Sequence, residues 1–593
     1  MTSVFDPDAA LNLADRRQLA GDLDGAVDLY DRLLAQAPGF WQAHANRGLA
    51  LAVMGNSHGA RAGFRRSIAL EPTAAPALRN LADSLQHDDP KAGLHVARAL
   101  TAVAPDTADS WLSLGCTELS LSASGPAGRS LRRSLALAPV VIEALMGFST
   151  VRPEAKLIWG RRAVAGSTAP GPMVALAHQV LASGARAESR RLLRRAIVIE
   201  PSHADALAEL TSAIDAFSAS AELRRWGRRA IVLSPGSFAA WNNLGMAELE
   251  LGQLDASEHS FATAIRLQPD LAEAHFNRSM PLFLLERSEE AWREYEWRWR
   301  IDRFEKPPSS APHWNGEPLG GRRLLVHDEQ GLGDGLQFIR YLPVLAREHA
   351  SVAMLCDPRL EDLARKSFPD IAIHARPNVP SHDLLVALLN LPRLLGRTQS
   401  FPKPPYLALP EPARIDAGGR LRVGLVWAGN PNHPRDRDRS IPLDRLKPLL
   451  DVPGVALFSV QFGPPKTEIS DLGLDAVLAD LGGHLPDMQS VARVFAGLDL
   501  LVTVDTASCH LAGALGLPVW VLLPWIPDWR WGTTGTTTPW YPSMRLFRQR
   551  AKSAWQPVIA EVSAALAEAS AAHAAKPPEH AVLGRHGVGR ATT

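Results

Sequence analysis

No stretch of this 593-residue chain approaches the ~20 consecutive apolar residues that carry a helix across a bilayer. Its longest apolar runs, such as Leu500 to Val504 and Val519 to Leu523, fall far short of that, so no membrane span is expected. Cysteine is scarce. Cys116, Cys356 and Cys509 are scattered and odd in number, which supports neither a disulfide framework nor a zinc cluster and fits a reducing cytoplasm. An excess of either charge is also missing. With 63 basic against 62 acidic residues the formal charge is +1, and the basic footprint of a nucleic-acid binder is not there. Met1 to Ala10 carries Asp6 and Asp8 in place of a basic start and an apolar core, so no secretory signal is read there. These absences leave a soluble, cytoplasmic protein of several domains, at roughly 100 to 200 residues each.

What is present in the first 300 residues is a period. Prolines recur at Pro38, Pro72, Pro105, Pro139, Pro201, Pro235 and Pro269, mostly 34 residues apart, with Ala26/Ala60 and Tyr30/Phe64 in step. Gly48, Gly115 and Gly245 each follow a ladder proline by ten residues. The pattern resembles the tetratricopeptide repeat, in which the glycine lets helix A approach helix B and the proline closes the unit. One such unit cannot bury its apolar face alone, so the units are expected to stack into a solenoid with a concave groove for a protein partner. A dimerisation or spacing scaffold is the plainer alternative. The ladder falters between Pro139 and Pro201, where Ser149 takes the place of the glycine and Pro153 interrupts. Residues 271–300 keep the period and add Trp292, Trp297 and Trp299 beside Ala291 and Tyr295. That density of rings predicts a capping unit packed on the next domain. Base stacking is the other use for such rings.

The C-terminal half alternates strands with helices. Leu500 to Val504 reads as a strand covered on both faces, Asp505-Thr506 as its polar end and an N-cap, and Ala507 to Leu515 as a helix of small and apolar residues. Gly516-Leu517-Pro518 stops that helix before a second strand, Val519 to Leu523. In a parallel sheet, ligands sit at the carboxyl ends of strands, which places Asp505, Thr506 and His510 at a crevice. Upstream, the strand Arg422 to Ala428 ends in Gly429 and Asn430 and runs into a loop with Arg435, Arg437, Arg439 and Ser440, a suitable phosphate cradle. A capped helix with a surface histidine is the plain reading of the same residues.

Asp505-Thr506-Ala507-x-x-His510-x-Ala512 resembles the Asp-Thr-Gly-x-x-His-x-Ala signature of bacterial heptosyltransferases, with Ala507 where those enzymes carry glycine. The whole C-terminal half is similar to GT-B glycosyltransferases. Asp328 to Pro343, a glycine-rich turn with Gly331, Gly333 and Gly335 running into a helix, resembles the Gly-Asp turn near the start of the same enzymes, and Asp334 matches their base. Pro343 comes later than the family's proline. Solenoid plus GT-B in one chain resembles O-linked N-acetylglucosamine transferases in layout and, more closely, bacterial tetratricopeptide glycosyltransferases that modify flagellin with nonulosonic acids.

The fold class implied is an α-solenoid over 1–305 followed by a GT-B module of two Rossmann-like halves, 306–412 on the acceptor side and 413–574 on the nucleotide-sugar side, with a disordered tail over 575–593. Strands are expected at Arg323 to His327, Ser351 to Cys356, Ile371 to His374, Asp383 to Leu389 and Val455 to Gln461, with a helix near Met488 to Ala496. An alanine-rich helix from Trp555 is expected to cross back to the other half, as often in GT-B proteins. The resemblance implies a transferase that moves a sugar from a nucleotide-sugar donor, with no cofactor, to a hydroxyl of a protein acceptor held by the repeats, flagellin being a candidate. Asp334 would act as base with His327 in reserve. Arg437, Arg439, Ser440, Thr506 and His510 would meet the charge on the leaving phosphate, with Asn430, Gln461 and Asp505 completing the donor side. Asp436-Arg437-Asp438 spells a metal-binding Asp-x-Asp, but the flanking arginines would pair with those carboxylates, so no metal is expected. The rival reading is a non-catalytic adaptor whose GT-B part has decayed.

Overall fold

A computed structural model describes residues 6–575 except 87, 122, 139–152, 166, 168, 350, 399 and 484. By compactness the chain divides into two units: residues up to Asp215 with Arg225–Ala240, and Ala216–Arg224 with everything from Trp241 onward.

The first unit is helical. The second helices of successive hairpins begin at Leu23, Ser57, Pro90 and Ser124, and the series resumes at Arg186, straddles the division with the helix from Ser220 and continues in the second unit at Leu254 and Ser288. The expected glycine contacts are present. A Cβ on Gly48 would lie 2.8 Å from the Phe64 ring, and one on Gly115 2.7 Å from Leu131, so only glycine lets these pairs close. Of the irregular stretch, Ser149 lies outside the described residues, whereas Pro153 opens the helix Pro153–Ala165, where its missing N–H costs nothing.

The second unit holds the last helical hairpins and two parallel sheets. The smaller sheet has β1 (Leu324–His327), β2 (Val352–Cys356), β3 (Ala372–Ala375) and β4 (Leu384–Ala387) in the order β3-β2-β1-β4. The larger has β5 (Leu421–Val426), β6 (Val455–Ser459), β7 (Ala479–Asp480), β8 (Leu500–Val504), β9 (Val519–Leu523) and β10 (Met544–Arg548) in the order β10-β9-β8-β5-β6-β7. Strands β1, β4, β6 and β8 are buried along their whole length, as the apolar runs require. In each sheet the chain moves outward in one direction and then restarts beside its first strand, at β1/β4 and at β5/β8. Such reversals open a crevice at the strands' carboxyl ends, and both motifs sit there.

Of the next three features, the first and the third differ from expectation. The helix Trp555–Ala574 stays on the larger sheet: Trp555, Val558, Ile559 and Val562 pack into the core with β5 and β6, and Ser570 Oγ donates to the Pro453 carbonyl at 2.8 Å. The aromatic segment after β9 is built into the core, with Trp529, Trp531, Trp540 and Tyr541 all buried, and ends in strand β10. The hairpins from Trp241 onward belong to the sheet-containing unit, within the span expected for the solenoid. There Trp292 meets Trp529 edge-on at 5.5 Å, Phe283 stacks on Trp529 at 4.1 Å, and Arg298 is fully buried against Glu329. The linker before β1 lies along the edge of β4, where the Trp314 N–H donates to the Leu385 carbonyl at 2.8 Å and covers an otherwise unpaired strand edge.

Because Trp292 is 2% exposed and touches rings from two other segments, Trp292→Ala should destabilise the sheet-containing unit by about 3–5 kcal/mol. Calorimetry should show the sheet-containing transition move down while the transition of the helical unit stays. A shift of the helical transition alone would contradict this packing.

Candidate functional site

The short helix Leu332–Phe338 follows β1 through the loop Asp328–Gly331, and Asp334 caps it by accepting from the Gly331 N–H at 3.0 Å. Glycine is required at 333 for a reason the sequence did not reveal. A Cβ there would stand 3.0 Å from the imidazole Cδ2 of His510. His510 lies on the helix Ala507–Ala514, which follows β8. The two motifs, about 175 residues apart in sequence, are thus in van der Waals contact where the carboxyl ends of the sheets face each other. Gly331 and Gly335 serve the turn: Gly331 is the N-cap, and Gly335 packs over Asp328.

Arg530, unmarked in the sequence reading, holds the centre. It is 9% exposed at its side chain and pairs with Asp334, with Asp528 at 2.8 Å, and through Nε with Gln337 Oε1 at 2.5 Å. Burial pushes the Asp334 carboxyl up, against the pull of Arg530. Asp528, beside the same guanidinium, is held low despite its burial. Asp505 is pushed up to about 6 by burial and then by the charge of Asp528.

On the side of the larger sheet, Arg439 Nη1 donates to the Asp505 carbonyl at 3.0 Å, so the arginine loop and the Asp-Thr motif meet as expected from their strand ends. Arg439 also bonds Asp436 at 3.2 Å, and Ser440 Oγ donates to Asp436 at 3.0 Å while accepting from the Gly429 N–H at 2.9 Å. This closes the loop into a compact turn over the end of β5. Arg435 reaches away, to the Ile526 carbonyl at 2.7 Å. Arg437 is exposed and makes no hydrogen bond or ion pair among the described residues. Asn430 shapes the turn by accepting from the Asn432 N–H at 3.0 Å.

Gln461 is placed for structure. Its Oε1 accepts from the N–H groups of Trp427 and Ala428 at 3.0 Å, and its Nε2 donates to the carbonyls of Ala428 and Phe462. Thr506 occupies the N-cap position, but its side chain makes no capping bond, so that part of the expectation is corrected. His327 is buried beside Trp299, its Nδ1 against the Asp328 carbonyl at 3.0 Å, and burial lowers its pKa.

His510 stacks on Trp531 at 5.4 Å, places Nδ1 3.0 Å from the Tyr541 hydroxyl, and has Nε2 4.0 Å from Asp505. Burial, helped by Arg530, lowers its pKa to about 3, so the ring is neutral. Asp505, Cys509 and His510 bring possible ligand atoms within 4.8 Å of one another. Cys509 Sγ is turned back to the Thr506 carbonyl, burial holds the thiol protonated, and Arg439 and Arg530 stand close by. That donor set disfavours a cation. Beyond the ends of β6 and β7, an open cleft of about 510 Å³ is lined by Gln461, Phe462, Lys466, Gly482 and Gly483, with Lys466 paired to Asp480 at 2.6 Å.

The residues missed in the sequence, Gln337, Asp528, Arg530, Trp531 and Tyr541, did leave one signal. Gln337 and Arg340 are polar residues inside Leu336–Leu342, a segment buried throughout, and buried polar groups need partners.

No protein-family model matches the chain. Protein FlbA of Caulobacter vibrioides is 29% identical over an alignment of 371 positions that covers 56% of this chain and 62% of that relative. The chain thus spans less than two thirds of the relative's length. Crystal structures of MamA also align: one is 18% identical over 32% of this chain and 94% of its own, with a TM-score of 0.22. Another, MamA from Desulfovibrio magneticus RS-1, is 14% identical over 28% and 95% with a TM-score of 0.25. At those scores the structural likeness carries no argument.

The low value at His510 gives a sign that can be measured. The folded state binds fewer protons there than the unfolded state between about pH 3 and 6.5, so stability present above that window is lost as pH falls through it. From about pH 7.5 to about pH 4.5, the parent protein should lose about 2–3 kcal/mol more than His510→Gln in urea melts. Asp505 works in the opposite sense between about pH 4 and 6 and, being present in both proteins, cancels from the comparison. Equal losses would mean that His510 is solvated.

Proposed function

We propose that this chain is a glycosyltransferase of the GT-B type that moves a sugar from a nucleotide-sugar donor to a hydroxyl of a protein held by its tetratricopeptide-like repeats. The observation that carries the reading is the meeting of Gly333-Asp334 with Asp505, His510, Arg439 and Arg530 between the carboxyl ends of two parallel sheets. Flagellin is the candidate acceptor and a nonulosonic acid the candidate sugar, both carried over from the resemblance to flagellin-modifying tetratricopeptide glycosyltransferases.

In this mechanism the bond between the anomeric carbon and the leaving phosphate breaks while the acceptor oxygen bonds to that carbon. The phosphate leaves with the electron pair of the broken bond. Arg439, Arg530 and the neutral imidazole of His510 meet the charge that develops on it. The acceptor hydroxyl loses its proton to Asp334. Both oxygens of Asp334 are engaged, one by Arg530 and one by the Gly331 N–H. The base therefore becomes available when a phosphate competes for Arg530. Asn430, Gln461, Ser440 and Thr506 shape the floor of the donor side, and Arg437 is the exposed cation at its rim. His327 is too deeply buried for a role as base.

The same engaged carboxylate is what favours the rival, a non-catalytic adaptor in which Asp334 and Arg530 merely join the two sheets. Asp334→Asn separates them. A transferase should lose turnover by roughly 10²–10⁴ while nucleotide affinity is kept or raised, because Arg530 is freed of its competitor, whereas Arg439→Ala loses both. Intact-mass spectrometry of acceptors co-expressed with each variant, beside nucleotide titration calorimetry, reads the difference. Normal transfer by folded Asp334→Asn would remove the catalytic assignment, and no mass gain with the parent protein would favour the adaptor.

A further inference from the structure

A second set of buried polar groups crosses between the sheets on the far side of His510. Arg340 is 1% exposed, and the groups it bonds are uncharged. Its Nε donates to the Gln337 carbonyl at 2.8 Å, Nη1 to the Trp540 carbonyl at 3.0 Å and to the Pro402 carbonyl at 3.3 Å, and Nη2 to the Tyr406 hydroxyl at 3.0 Å. Its guanidinium also lies over the rings of Tyr406 and Tyr541, 4.6 and 4.7 Å from their centroids. Tyr406 belongs to the segment joining the two sheets and is anchored by its backbone N–H to the Ala514 carbonyl at 3.0 Å. Tyr541 is fully buried and reaches His510 because Gly513 leaves room: a Cβ there would be 2.6 Å from the Tyr541 ring.

The direction of each hydrogen bond follows by elimination. A guanidinium only donates, so the Tyr406 oxygen accepts from Arg340. The Tyr406 hydrogen has the Leu336 carbonyl at 3.0 Å, an acceptor that offers nothing in return. The Tyr541 hydrogen then has two places to go, His510 Nδ1 at 3.0 Å or the Tyr406 oxygen at 3.4 Å. The nearer acceptor is the imidazole, and the farther oxygen is already occupied by Arg340.

We propose that Tyr541 is a positioning residue that donates to His510 Nδ1 and so fixes the ring as the Nε2–H tautomer, leaving a neutral N–H donor directed toward the Asp505 side. Arg340 and Tyr406 take part by closing the alternative path for the Tyr541 proton. The neutral state of the ring is supported by its burial and by the guanidinium groups around it, while the Tyr541 hydroxyl stays protonated. Which ring nitrogen carries the proton is set by the partner of the other one. A neutral donor suits an anionic oxygen such as that of a phosphate, a role that rests on the transferase reading, whereas the tautomer itself does not.

Long-range proton–nitrogen correlation spectra of the histidine-labelled full chain test this, with His510 assigned by the peak missing in His510→Gln. The parent protein should show protonated Nε2 and unprotonated Nδ1. Tyr541→Phe keeps the ring and the packing and should shift His510 to a mixture with protonated Nδ1. Tyr406→Phe, which leaves the Tyr541–His510 bond in place, should leave the tautomer unchanged. Affinity for inorganic pyrophosphate should fall about tenfold in Tyr541→Phe. Protonated Nδ1 in the parent protein, or an unmoved tautomer in Tyr541→Phe, overturns the proposal. If the tautomer moves while pyrophosphate affinity is the same in the parent, Tyr541→Phe and His510→Gln proteins, the tautomer assignment is upheld and the phosphate role fails with the reading it rests on.

Discussion

A buried guanidinium, that of Arg530, sets the terms for the rest of the site. An ionised group this deep is tolerated only with opposite charge and full hydrogen bonding, and Arg530 has both: Asp334 and Asp528 as anions and Gln337 as neutral acceptor. Two of these partners come from the helix after β1 and one from the segment after β9. The geometry of both sheets at their carboxyl ends is therefore tied to one cation. Burial, and after it the charge of Asp528, pushes Asp505 up to about 6, while Asp528 beside the guanidinium is held low.

The last helical hairpin takes part in the same arrangement. The short helical turn Glu296–Arg300 that follows it puts Arg298 into a forked pair with Glu329, at 2.9 and 2.5 Å, and against Asn390. Arg393 pairs with Glu296 at 2.5 Å, and Tyr295 bonds Gln330 at 3.0 Å. Gln330 adopts a φ of 63°, a strained conformation for a residue with a side chain, and these bonds hold it there. The loop that presents Asp334 is thus gripped from behind by helical-repeat residues. For that reason the aromatic run around Trp292 belongs with the sheets in packing although it keeps the repeat's period in sequence.

Periodic and local features were legible in the sequence, and relations between distant segments were not. The strands β8 and β9 and the helix Met488–Ala496 appear at the expected residues, because apolar runs bounded by Gly, Pro and Asp are local signals. The strand expected to reach Gln461 stops at Ser459, since the Gln461 side chain, not a neighbouring strand, satisfies the backbone of Trp427 and Ala428. The short β7 and the edge strand β10 carried too little alternation to be seen. Arg530 lies among buried tryptophans, and nothing within eight residues of it names Asp334 as its partner. The helix from Trp555 was expected elsewhere by analogy of fold; its own apolar face, Val558, Ile559, Val562 and Leu566, fits the larger sheet.

Three of the crossings between the sheets depend on one short stretch of backbone. Gly333 touches His510, Asp334 meets Arg530, and Arg340 reaches the Trp540 carbonyl, all within eight residues. Sliding the sheets apart would part a buried ion pair and leave each charge unsolvated unless water or an anion entered as they separated. Anion entry at Arg530 and release of Asp334 are therefore linked events: whatever binds the guanidinium more tightly than the carboxylate does must, by the reciprocity of coupled equilibria, also free that carboxylate. Arg340, held by three carbonyls and the Tyr406 hydroxyl, has no paired carboxylate for an anion to displace.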